Sequence, residues 1–323
     1  MMSFKKFLNP QNDVAFKRLF GQERNQDILI HFLNDVLDLG DAKVQSVEFL
    51  PTIQDPEAMS KKESIVDILC KDQFGRQHII EMQVARTRDF PKRAQFYAAR
   101  AYGRQLNQSQ AYEELKQVIF LAITNFTMFP DKEAYKSDHV ILDKQTHEHD
   151  LKDFSFTFLE LPKFKKSWRE CKTMLEKWSY FLKHAEETPE YDVEPFAGND
   201  AILERAYQEL NQTYWNEAEM NSYESDEKRV RDNQSALDYA KDVGKAEGIA
   251  EGIEKGKAEG KAEGIAEGIE KGKAEGIVEG IEKGKAQLTL DFALRMLDNG
   301  IPKNVISNLT GLSFSEIEEL SKK

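Results

Sequence analysis

Three consecutive pieces decide the fold: Glu63-Ser64-Ile65-Val66-Asp67-Ile68-Leu69-Cys70, then Lys71-Asp72-Gln73-Phe74-Gly75-Arg76-Gln77, then His78-Ile79-Ile80-Glu81-Met82-Gln83-Val84. The outer two are apolar and β-branched, while the middle one holds an Asp, a Gly and charged residues, which is the composition of strand, turn and strand. A β-hairpin is expected. Side chains two residues apart on a strand share a face, so Glu81 and Gln83 point one way and Ile80, Met82 and Val84 the other. Asp67 is expected mid-strand between Val66 and Ile68, where a carboxylate is costly unless it is paired or bound to a metal.

Two carboxylates converging across a hairpin, with a third polar group two residues past the second, can hold a hard divalent cation through oxygen ligands. Such a cation supports phosphodiester hydrolysis. On the residues alone two other readings stay open: Asp67 as a buried turn cap, and Glu81 and Gln83 as the solvated face of an edge strand. Asp67 followed by Glu81-x-Gln83 resembles the active site of the PD-(D/E)XK nuclease superfamily, with Gln83 where a lysine usually stands. Within that superfamily the chain resembles the Rpn group, the recombination-promoting nucleases also described as PD-(D/E)XK nuclease family transposases. The shared landmarks are Asn12-Asp13-Val14-Ala15-Phe16-Lys17-Arg18-Leu19-Phe20-Gly21, Val66-Asp67-Ile68-Leu69, Ile80-Glu81-Met82-Gln83 and Leu159-Glu160-Leu161-Pro162-Lys163-Phe164.

The resemblance implies an α/β, restriction-endonuclease-like core with a mixed central sheet flanked by helices. It also implies a divalent-metal-dependent DNA endonuclease, with Asp67 and Glu81 as metal ligands for Mg2+ and Gln83 orienting water or the scissile phosphate. An acidic residue of the first helix often supports the metal site in this superfamily, which makes Asp13 a further candidate ligand; a salt bridge to Lys17 is its alternative role. The rival readings are a catalytically weak nucleic-acid-binding module and an oligomeric interaction protein in a defence or toxin-like system.

Downstream of the hairpin, a helix expected over 91–106 carries Arg93, Tyr97, Arg100 and Arg104 at steps of four, three and four, which is one helical face. Guanidiniums and a phenol in that arrangement suit a DNA phosphate backbone, although a solvated face has the same composition. Residues 116–126 read as a buried strand, and Phe154, Phe156 and Phe158 alternate as another. Trp168, Trp178, Tyr180 and Phe181 read as the packing residues of a helical subdomain. The expected organisation is a nuclease core over 1–130, a mainly helical region with an acidic segment over 131–240, a glycine repeat over 241–287, and a small helical tail over 288–323.

The formal net charge of −12 is awkward for a DNA-binding protein until it is located. Residues 186–232 hold fourteen acidic and four basic side chains, so the rest of the chain is near neutral. Cys70 and Cys171 suggest neither a zinc site nor a disulfide framework, which fits a reducing cytoplasm. No stretch is long and apolar enough to span a bilayer, so a soluble, cytoplasmic protein without a membrane partner is expected.

From Gly244 to Gly284 a glycine recurs at every fourth position among Ala, Glu, Lys and Ile. These neighbours favour helix, but eleven glycines cost on the order of 10 kcal/mol relative to alanine, so packing must offset the loss. Homo-oligomerisation along the stripe is one expectation and a solvated spacer the other. The tail resembles a small helix-turn-helix. Its second helix carries Glu316, Glu318 and Glu319, which argues against phosphate contact there.

Overall fold

The computed structural model describes residues 5–54, 64–106 and 109–322. Most of the polar connection before the hairpin, and Glu63 at the hairpin's start, lie outside the described residues. The chain opens with α1 (Asp13–Phe20) and α2 (Gln26–Val36). Asn12 caps α1, its Oδ1 accepting the N–H groups of Val14 (3.0 Å) and Ala15 (3.4 Å), so the helix starts after Asn12. Then come β1 (Val47–Phe49), β2 (Ile53–Gln54), β3 (Ser64–Ile65), β4 (Ile68–Asp72), β5 (Gln77–Gln83), α3 (Phe90–Gly103), β6 (Val118–Thr124), β7 (Lys136–Val140) and β8 (Phe154–Glu160). The helices that follow are α4 (Met174–His184), α5 (Glu190–Ala197), α6 (Ala201–Leu210), α7 (Glu217–Asp298), α8 (Lys303–Thr310) and α9 (Phe314–Leu320).

Strands β1, β4, β5, β6, β8 and β7 form one sheet in that order, and β2 pairs with β3 apart from it. The β5–β6 and β6–β8 pairs are parallel and the others antiparallel, which makes the sheet mixed. The expected hairpin is β4–β5, with Ile68 opposite Ile80 and Leu69 opposite Ile79. Gly75 closes its turn at φ +82, a conformation that side chains disfavour.

Alternation along these strands builds two apolar layers. Ile68, Cys70, Ile80, Met82 and Leu121 face a core shared with α1, α2, α4 and α6, whereas Leu69, Ile79, Val118 and Phe120 face α3. Helix α3 meets the sheet through Phe90, Ala94, Ala98 and Ala101, and the small alanines let its backbone come close. All seven residues of β6 are buried, as a parallel strand covered on both faces should be.

Four expectations need correction. Asp67 does not sit mid-strand but at a bend between β3 and β4, because the pairing of β3 passes to β2 and that of β4 to β5. The boundary at 130 cuts the sheet between β6 and β7; contacts instead join Met1–Asn233 into one compact unit, with Gln234–Lys323 as a second. Trp178 and Phe181 belong to the same core as α1 and α2 and not to a separate helical subdomain. Helix α3 ends at Gly103, so Arg104 caps it and is not part of its face.

Part of the acidic segment is buried. Leu203, Ala206, Tyr207 and Leu210 of α6 are fully buried, and its carboxylates meet the basic residues of the N-terminal region. Arg18 is the centre of that contact: it bonds Glu209 (3.2 Å), Glu219 (2.5 Å) and the Tyr214 carbonyl (3.2 Å), and it lies 4.5 Å from the Trp215 ring centre. Lys5 pairs with Glu186, Lys6 with Glu190 and Arg205 with Asp27.

In the second unit the repeat is helical throughout, and every residue from 234 to 288 is exposed. Each repeat glycine has open space where a Cβ would stand. The tail has its own small core of Ala293, Met296, Ile306 and Ile317. Gly311 ends α8 in the left-handed conformation, and Ser313 with Glu316 forms the capping box of α9. No described helix is long and apolar enough to cross a membrane.

Candidate active site

Continuing the β4–β5 register one step past Ile68 and Ile80 sets Asp67 opposite Glu81. Two hydrogen bonds fix the meeting. The Asp67 N–H donates to Glu81 Oε1 at 3.2 Å, and the Met82 N–H donates to Asp67 Oδ2 at 2.8 Å. Glu81 is buried and Asp67 half-buried. Gln83, on the same face as Glu81, donates from Nε2 to Glu81 Oε2 at 2.8 Å. Its Oε1 accepts a 2.8 Å bond from Arg93 Nη2, the first cation on the inner side of α3.

The carboxyls are held in an unfavourable state. Burial pushes the Asp67 carboxyl above its usual range, the nearby Asp13 charge adds to this, and the Met82 N–H, Lys17 and Arg93 oppose it. Burial raises Glu81 further, and the Asp67 charge adds to the rise. Two like charges in a poorly solvated place favour binding a proton or a cation. Arg93 Nε is buried without a hydrogen-bond partner among the described residues, a donor that a bound anion could satisfy.

Asp13 lies close enough for its charge to act on Asp67, and it is bonded to Lys17 at 2.9 Å. Among the described residues no group of three His, Cys, Asp or Glu side chains gathers as a metal cluster, so Asp67 and Glu81 would share a cation with water or backbone oxygens. Tyr97 is half-buried next to the site, where burial raises its phenol and Arg93, Glu81 and Asp67 all act on it. Arg100 is half-buried and Arg104 exposed.

Residues 10–240 match the family described as PD-(D/E)XK nuclease family transposase. The chain belongs to this family, in its Rpn group. Residues 287–322 match a second description, the Rpn/YhgA-like nuclease family C-terminal HTH domain, and cover the tail built by α8 and α9. No curated protein and no solved structure matches the chain. The six-stranded mixed sheet with flanking helices fits the family's α/β fold.

Helical spacing groups Arg93 with Tyr97 and Arg100 in a stripe along α3, whereas its guanidinium reaches back to Gln83. The available signal was its place at the start of the helix that directly follows β5. Glu160 and Lys163 form a buried pair with Nζ to Oε1 at 2.8 Å.

Proposed function

We propose that the protein is a metal-dependent DNA endonuclease in which Asp67 and Glu81 hold a divalent cation, Mg2+ by preference, and Gln83 and Arg93 prepare the scissile phosphate. The observation that carries this reading is the Asp67–Glu81 meeting across β4 and β5, with Gln83 and Arg93 bonded in series beside it. A bound cation of this kind activates water and stabilises the charge developing on phosphate. Gln83 cannot act as a general base, because an amide does not titrate. Its two bonds fix the side chain's direction instead. Arg93 brings to this place, from α3, the positive charge that lysine usually supplies in the superfamily. Tyr97, Arg100 and Arg104 extend along and past α3 as phosphate contacts.

A plasmid-nicking assay with and without magnesium tests the proposal. Wild type should nick only with the metal, Asp67→Ala should lose the activity while keeping its fold, Gln83→Lys should keep or raise it, and Gln83→Ala should lower it. Full activity in Asp67→Ala would remove the proposed site.

A second reading concerns assembly. Ile249, Ile253, Ile265, Ile269, Ile277 and Ile281 are all more than half exposed on a helix whose glycines have open space beside them. Association of such helices would bury the isoleucines and offset the helical cost of glycine. We therefore infer that the chain self-associates through the repeat.

A further inference from the structure

We propose that a cavity beside the end of the catalytic strand holds one nucleotide of the DNA strand being cut, its base against Phe126 and Met128 and its phosphate at Arg86 and Arg88. This deepens the nuclease reading above and rests on it. The cavity measures about 550 Å3, and Arg86, Arg88, Phe90, Phe126 and Met128 are among its walls. It lies where α/β sheets collect ligands, past the carboxyl ends of parallel strands. One wall is the segment that follows Gln83 at the end of β5. The other follows Thr124 at the end of β6, and the Asn125 N–H donates to the Gln83 carbonyl at 2.9 Å, tying the two together. The cavity is thus built from the residues next in chain to the catalytic row.

Its chemistry suits a nucleotide. Arg86 and Arg88 are exposed, and neither is engaged by a carboxylate among the described residues. Guanidiniums of this kind pair with phosphate oxygens. Phe126 stands edge-on to the buried Phe90, with ring centres 6.4 Å apart, and stays partly exposed. An aromatic face supported in this way accepts any base, because every base has a π-face.

The second wall is held by a charged pair that the metal site does not explain. Glu160, fully buried at the end of β8, accepts the N–H groups of Met128 (2.7 Å) and Phe129 (3.2 Å) together with Lys163 Nζ (2.8 Å). Lys163 also donates to the Phe129 carbonyl at 2.7 Å. A buried ion pair is a poor source of stability compared with apolar packing. This one spends its hydrogen bonds on the main chain at 128 and 129, so what it fixes is the cavity wall. A wall set before binding lowers the ordering cost of the complex.

The test uses the full chain and a short single-stranded DNA carrying one 5-iododeoxyuridine, with binding measured in calcium and the strand checked intact on a gel. Arg86→Ala with Arg88→Ala should weaken binding roughly tenfold and flatten the salt slope by roughly 0.7 per arginine. Near-ultraviolet crosslinking should attach the strand to the peptide containing Phe126, and Phe126→Leu should lose that crosslink. Unchanged affinity and slope in the double variant, or crosslinks that map away from residues 126–128, would overturn the subsite. Equal competition by a free deoxynucleoside monophosphate would also overturn it, assigning the cavity to free nucleotides. Wild type that binds and crosslinks here but leaves plasmid uncut would sink the nuclease reading and keep the subsite. Wild type that cuts plasmid while the double variant binds unchanged would do the reverse.

Discussion

At the scale of single residues, the Asp67–Glu81 pair makes stability depend on pH in an unusual direction. Their folded carboxyls lie above the unfolded range, with Asp67 pushed up to about 6 and Glu81 to about 8. A raised carboxyl binds more protons folded than unfolded, so the metal-free protein should lose stability as pH rises from about 4 through this window. Asp67→Asn should flatten that loss, as followed by chemical denaturation across pH in chelator. Arg93 gives a second prediction. If it acts on the phosphate, Arg93→Ala should lower the nicking rate by roughly a hundredfold, with Arg93→Lys recovering part of it. An equal loss in both variants would make the fork geometry essential and the charge insufficient. The carboxylates were legible because alternation and register follow from strand geometry alone. The bend at Asp67 was not, since Val66 and Ile68 favour strand on either side of it. Nor was the contact from Arg93, because helical spacing groups it with Tyr97 and Arg100 without saying which end of α3 meets β5.

At the scale of elements, the acidic segment is the partner of the N-terminal helices. Arg18 on α1 is nearly buried between Glu209 on α6 and Glu219 on α7, with Trp215 against its guanidinium. Removing the cation leaves two carboxylates facing each other in a partly buried place. Arg18→Ala should therefore cost about 2 to 4 kcal/mol, measured by urea unfolding. Adding Glu209→Gln to that variant should return part of the loss, and a double variant no better than the single would show that packing on Trp215 carries the effect. In the sequence this segment reads as a surplus of negative charge, because its basic partners, Arg18 and Arg24, lie 191 and 185 positions from Glu209. The helices and the hairpin were legible from local patterns. The pairing of β8 with β6 was not, since parallel neighbours leave no local signal of their partner.

At the scale of the whole molecule, the prediction concerns size. Full-length protein should form a larger assembly than a chain ending at Lys241, as measured by light scattering. Equal sizes would leave the repeat as a solvated helix. The boundary drawn at 130 failed because the sheet closes only after a long connection, and composition does not change there. The repeat was legible as helix from its Ala, Glu and Lys content, with Glu267–Lys271 and Glu279–Lys283 at four-residue spacing to support it.

One consequence of that repeat concerns heredity. Its tetrads are near copies of one another, and no side chain from 234 to 288 takes part in a core. A tandem tract in the coding DNA can therefore gain or lose a unit in frame and leave all three hydrophobic clusters intact. Each added unit lengthens the helix by about 6 Å and advances its phase by about 40°. Length variation among descendants of this chain should collect in this tract, while the strands and helices before Asn233 keep their spacing.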